Sequence, residues 1–179
     1  MIRSAADLFS DVLRTIPGRV ESGRWLRAMP AGRIRDLLDP YSESLKGGRV
    51  NPPGSFPVLY AVADEDGCRP ALAAVGLDEP ETVIAVFSVS LSRVLDLADG
   101  SVRRRLGVTV GDLANAEESR ISQSIGVAAY NEGFEGVIYP RPLHPKCRNL
   151  AIFSDRITSG NIQLLELRTP GFSSRSCEG

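Results

Sequence analysis

The chain has 179 residues, 42% of them hydrophobic, with 21 lysines and arginines against 22 acids and a formal net charge of -1. That is enough apolar material for one core and one domain, and the even charge balance excludes a basic nucleic-acid or membrane-surface binder. No apolar run nears the ~20 residues needed to span a bilayer, and acids interrupt the apolar pattern of the N-terminus MIRSAADLFSDVLRTI, so a cytoplasmic protein without a signal peptide is expected.

Ala5, Leu8, Phe9, Val12 and Leu13 recur at helical spacing behind Ser4, which predicts a capped helix that Pro17-Gly18 ends. Trp25 to Pro30 reads as an early strand, and residues 31 to 46 as a loop with one helical turn at Ile34 to Leu38. Pro52-Pro53-Gly54 signals a turn, because proline fixes φ and glycine accepts the positive φ that follows. Phe56 to Val62 then reads as a buried strand. A helix over 65–75 accommodates Pro70 in its first turn. Thr82 to Val89 is the clearest strand, continued by 92–99 into a turn. Arg103-Arg104-Arg105 reads as a solvated helix end, since adjacent charges cannot share one helical face. Gly111 to Gly133 predicts one long helix with Ile121, Ile125, Ala128 and Ala129 on a single face. Short strands follow at Gly136 to Pro140, Asn149 to Phe153 and Ile162 to Leu167. The expected division is an N-terminal helical segment over 1–20, a domain over 21–168 and a flexible tail over 169–179.

Strands and helices mix without the alternation of a doubly wound sheet, which indicates a mixed α+β domain. There is no GxGxxG after a strand and no GxxxxGK[ST], so Rossmann and P-loop modes of nucleotide binding are excluded. Cys68, Cys147 and Cys177 are odd in number and lack CxxC spacing, which argues against a disulfide framework and a zinc site; Cys68 and Cys147 are expected to be free, partly buried thiols. The lone histidine, His144, lies among prolines in PRPLHPK and reads as a surface-loop residue, without the partners of a catalytic triad or a multi-histidine metal site.

Three residues suggest a pocket. Arg49 follows Gly47-Gly48, where backbone can come close to a ligand, and a guanidinium fork suits phosphates. Arg27 sits within the early strand, and Tyr60 ends an apolar run. The alternative for each arginine is an internal ion pair, and for Tyr60 a place in the core.

The segments GGRVNPPGSFPVLYA, TVIAVFSVSLSRVLDLAD, QSIGVAAYNEGFEGVIYP and NLAIF, in this order, resemble the RES-domain family, NAD+-degrading toxins of bacterial toxin–antitoxin pairs. The first segment is the most specific, and the likeness runs from about Trp25 to Phe153. The resemblance implies an α/β (mixed α+β) fold like a compact ADP-ribosyltransferase, a split mixed sheet with flanking helices and NAD+ lying in a cleft as substrate, with no metal. It implies that Arg49 and Arg27 contact the cofactor's phosphates and that Tyr60 stacks on the nicotinamide. It also implies a cognate antitoxin with a helix-turn-helix domain that blocks the cleft.

Two residues of the family pattern are missing. The glutamate expected on the helix after the Tyr60 strand falls at Ala71, and the serine expected after the strand that ends near Tyr139 falls at Arg141, which is expected to join Arg27, Arg49 and Tyr60 in binding the cofactor. Cleaving the nicotinamide–ribose bond builds an oxocarbenium-like cation, which a carboxylate beside the ribose stabilises. Alanine supplies no such charge, although binding can persist without chemistry. Ala71 thus marks the catalytic position of an inactivated NAD+-degrading enzyme, or of a natural descendant that binds a nucleotide or a partner without cleavage. The nearby acids Asp64, Glu65 and Asp66 are the available substitutes. Whether water or phosphate accepts the ribose is not legible.

Overall fold

The computed structural model describes residues 4–68, 82–114, 119–141 and 144–169. Ala71, Cys177, most of the helix expected over 65–75 and the tail from 170 onward lie outside the described residues.

Helix α1 (Ala5–Leu13) starts as expected: Ser4 and Asp7 exchange hydrogen bonds in a capping box. Strand β1 runs Arg19–Pro30, six residues longer at its start than the apolar pattern indicates. That first half is polar, and charge holds it: Arg19 donates across the sheet to Asp96 at 2.5 Å and within its own strand to Glu21 at 2.9 Å. The 31–46 segment is more ordered than a loop, with a 3-10 turn (Ala31–Asp36) and α2 (Tyr41–Lys46). Strand β2 (Val58–Val62) begins only after Pro57, which has no N–H to give a ladder. A helix opens at 65, and its described part is 65–68 (α3).

Strand β3 (Thr82–Asp96) is a single 15-residue strand, so the apolar run and its continuation form one element. Helix α4 (Gly100–Leu106) carries the three arginines in its last turn. Arg104 and Arg105 are exposed as expected. Arg103 instead folds back to donate to the carbonyls of Leu97 and Ala98 at 2.6 and 2.8 Å. The helix expected over 111–133 is described as α5 (Val110–Ala114) and α6 (Ser119–Asn131), and 115–118 lie outside the described residues. Strands β4 (Gly136–Arg141) and β5 (His144–Phe153) are antiparallel, with Arg141 paired to His144. His144 therefore belongs to a strand rather than a surface loop; ladder pairing overrides the proline-rich composition around it. Strand β6 (Ile162–Arg168) completes the sheet.

The strand order β1-β2-β5-β4-β3-β6, with β1 also pairing β3, turns the first five strands into a closed ring. Long antiparallel pairing joins β1 and β3, whereas β1 and β2 meet through one bridge, Leu26 to Val62. On its other edge β3 pairs with β6 over Ile84 to Val89 and, in parallel, with β4 over Val94 to Asp96. The sheet splits between those two stretches.

Side chains alternate between the two faces of each strand. On one face Trp25, Leu59, Phe87, Ile138 and Leu150, from all five ring strands, meet in one buried cluster. On the other face Val58, Val137, Ala151 and Phe153 pack with Leu13 of α1 and with Ile125, Ala128 and Ala129 of α6. The helical face predicted from Ile125, Ala128 and Ala129 is thus the one that covers the sheet.

One contact of α6 positions the loop ahead of β2. Gly126 lies so close to that loop that a Cβ there would stand 1.8 Å from the Val50 carbonyl oxygen. Helix propensity alone would make Gly126→Ala stabilising by up to ~1 kcal/mol. The contact reverses the sign. Gly126→Ala is expected to lower the unfolding free energy by about 1–3 kcal/mol, as overpacking does. Denaturant titration measures this, and an unchanged or raised midpoint would refute the close packing of α6 on residue 50.

Candidate functional site

The loop Gly48 to Asn51 is fixed from several directions. Gly48 N–H donates to the Asn51 carbonyl at 2.9 Å, and the Gln123 amide of α6 donates to the Gly48 carbonyl at 3.0 Å. The Tyr60 hydroxyl accepts from Val50 N–H at 3.1 Å and donates to Asn51 Oδ1 at 2.7 Å. Asn51 is fully buried, so these bonds satisfy groups that water cannot reach. The glycine before Arg49 has a reason other than ligand approach: a Cβ on Gly48 would stand 2.5 Å from the Tyr60 hydroxyl oxygen. The small residue makes room for the tyrosine ring.

A cleft of about 420 Å³ opens beside this loop, where β1 and β2 share their single bridge. That size suits a small-molecule site, typically ~300–1,000 Å³. Arg27 of β1, Arg49 of the loop, Tyr60 of β2, Tyr139 of β4 and Asn149 of β5 line it. The three residues that the sequence singled out for a pocket are therefore neighbours. Arg27 Nη1 lies 3.5 Å from the Tyr60 carbonyl, and Arg49 Nη1 lies 3.4 Å from the Ala114 carbonyl at the end of α5. Tyr60 is half-buried, with its hydroxyl spent on the loop and its ring bordering the cleft. It belongs partly to the core and partly to the pocket wall.

Arg141 is half-buried and donates to the Asp66 carbonyl at 2.7 Å. It is not among the residues that line the cleft. Two of the acids offered as substitutes for residue 71 have other work. Asp64 accepts from Gly67 N–H at 2.7 Å, and Glu65 is ion-paired with Arg168 of β6. Among the described residues that line the cleft there is no carboxylate. Cys68 lines it too, but burial pushes its thiol up to about 12, helped by Glu65 and Asp64, so it stays protonated and unreactive near neutral pH. Cys68 and Cys147 are both free and buried.

The sequence reading did not find Asn51, Gln123 or Asn149. Asn51 had a signal, as a polar residue inside the Gly-Arg-Val-Asn-Pro-Pro-Gly turn whose side chain can satisfy local backbone or a neighbour. Gln123 and Asn149 open two of the family-like segments, QSIGVAAYNEGFEGVIYP and NLAIF, but nothing local marks their side chains, because each faces residues distant in sequence. The arrangement as described offers guanidinium groups, an aromatic wall and amides in one cleft. It suits an anionic, partly aromatic ligand such as a nucleotide.

Comparison with known proteins gives the same picture. Residues 17–169 match the profile described as RES domain. The chain is 29% identical over 167 residues to the probable NAD(+) phosphorylase Rv3189 of Mycobacterium tuberculosis, covering 90% of this chain and 79% of that relative. Its fold is similar to that of a chain in a crystal structure of the M. tuberculosis MbcT–MbcA toxin–antitoxin complex, with a TM-score of 0.74 and 21% identity over 93% of this chain and 92% of the other. At that identity the likeness is one of fold. With the profile matched over most of its length, the chain belongs to the RES domain family.

Proposed function

We propose that this chain is an NAD+-cleaving enzyme of the RES type, the toxin of a toxin–antitoxin pair, present here with the binding half of its site and without the catalytic acid. The observation that carries the reading is the convergence of Arg27, Arg49 and Tyr60 on one cleft. The name of the relative, a probable NAD(+) phosphorylase, supports NAD+ as substrate and phosphate as the acceptor.

On this reading the domain spans 21–168. Arg27 and Arg49 hold the pyrophosphate, Tyr60 lies against the nicotinamide, and Arg141 contributes positive charge from the α3 side. The glycosidic C–N bond breaks with its electron pair leaving on the nicotinamide nitrogen, and a phosphate oxygen bonds to the ribose carbon. A carboxylate at residue 71 would stabilise the cation between those events, a contribution of several kcal/mol. Ala71 supplies none, and Glu65 is held by Arg168. The protein works in the cytoplasm, with no metal, and an antitoxin carrying a helix-turn-helix domain covers the cleft; the name of the toxin–antitoxin complex of similar fold supports an antitoxin as partner.

The second reading is a RES-fold module that binds a nucleotide or a partner protein and never cleaves. It is favoured by Arg141, which occupies the serine's place and is already bonded to the Asp66 carbonyl.

Three measurements follow. The chain as it stands is expected to release no nicotinamide from NAD+, and release at the rate of a competent NAD+-cleaving enzyme would show that another acid serves. Arg49→Ala is expected to weaken NAD+ binding in calorimetry by about 1.5–3 kcal/mol, the worth of a charge-assisted bond; equal affinity would remove Arg49 from the site. Ala71→Glu is expected to switch on phosphate-dependent NAD+ loss and growth arrest in cells. A folded Ala71→Glu protein that leaves NAD+ untouched would sink the enzyme reading in favour of the module.

A further inference from the structure

Asn149 is the feature of the cleft that neither the motif nor the proposed chemistry uses. Along one face of β5 the side chains run Phe153, Ala151, Asn149 from the core outward. Phe153 and Ala151 are fully buried in the cluster under α6, whereas Asn149 is half-buried and lines the cleft. An apolar face thus ends in one amide where the cleft begins. Asn149 is paired with Val62 on β2 and with Tyr139 on β4. Tyr60 is paired with Ala151, one step along the same face. Asn149 and Tyr60 are therefore diagonal neighbours, ~7 Å apart in such ladders.

The other polar side chains that line the cleft have interactions of their own. Tyr60 is bonded to Asn51 and to Val50, the Cys68 thiol meets the Asp64 carbonyl, and Arg27, Arg49 and Tyr139 are likewise engaged. Among the described residues, the Asn149 amide makes no hydrogen bond. An amide offers one acceptor and two donors. Held at the edge of an aromatic wall, it suits a ligand group that returns both: a primary carboxamide on a flat ring.

We infer that Asn149 determines specificity by hydrogen-bonding the carboxamide of a nicotinamide ring that lies against Tyr60. The inference rests on the proposed NAD+ reading and extends it to the selection of the leaving group. A site arranged to pair both polar atoms of a carboxamide rejects a ring that lacks one of them, because the site's own polar group is left unpaired when water is expelled. Asn149 touches the leaving group and not the ribose, so it selects the ligand independently of the acid at residue 71. Its role is readable in the binding of the chain as it stands.

The experiment is calorimetry with three ligands: NAD+, its 3-acetylpyridine analogue, in which a methyl replaces the carboxamide nitrogen, and ADP-ribose, which lacks the ring. The native chain is expected to bind NAD+ about tenfold more tightly than the acetylpyridine analogue. Asn149→Leu is expected to weaken NAD+ about tenfold, abolish that preference and leave ADP-ribose within about twofold. Asn149→Asp keeps an acceptor but loses the amide donors, and is expected to weaken NAD+ selectively as well; it carries the test if the leucine variant fails to fold, as judged by thermal melting. Equal losses for NAD+ and ADP-ribose in a folded variant, or no loss for either, would overturn the role of Asn149 while the NAD+ reading stands. Failure of the native chain to bind either ligand would overturn both.

Discussion

The hydroxyl of Tyr60 is the point on which the site depends. It takes a hydrogen bond from Val50 N–H and gives one to the buried Asn51 side chain, and so ties the loop ahead of β2 to β2 itself. Without that tie, Arg49 would ride on a glycine-rich segment with many conformations to lose on binding. With it, the arginine and the aromatic wall are one rigid unit. The same unit is pressed on from behind by α6, through the Gln123 amide and the absent side chain of Gly126. A ligand entering the cleft would meet a surface already ordered by folding, which is how a site gains affinity without extra contact area.

On the proposed reading, binding and chemistry come from different parts of the sequence. The described wall of the cleft is built from β1, β2, β4 and β5, the Gly48–Arg49 loop, and Gly67 and Cys68 of α3. The acid that the family pattern calls for falls at residue 71, outside the described residues. The ladders that hold Arg27, Tyr60 and Asn149 pair described strand residues, so on the proposed reading a change of charge at residue 71 spares recognition. Separability of this kind lets a destructive enzyme be silenced by one side chain while its recognition surface persists.

Sequence made the fold legible wherever burial alone decides an element. The run Thr82 to Val89 and the Ile125, Ala128, Ala129 face read correctly because an apolar periodicity has one stable outcome. The first half of β1 did not, because its ladder with β3 and the Arg19 to Asp96 pair stabilise a polar strand from afar. His144 was misplaced for a related reason, since its pairing with Arg141 of β4 outweighs local composition. In the candidate site, Arg49 and Tyr60 stood out through the turn between them, whereas Asn149 was hidden as one polar residue within β5. What periodicity cannot convey is which distant strand a residue will face.

The ring of five strands has one thin seam. Every other junction carries at least three paired positions, but β1 and β2 are joined only at Leu26 and Val62. Opening a sheet costs least where the fewest ladder bonds must break, so the barrel yields first at the place where its cleft lies. A ligand that touches Arg27 on one side and Tyr60 on the other spans that seam. It would act as a stitch, transferring mechanical integrity to the protein, and the occupied ring would exchange its amides around Leu26 and Val62 with solvent more slowly than the empty one.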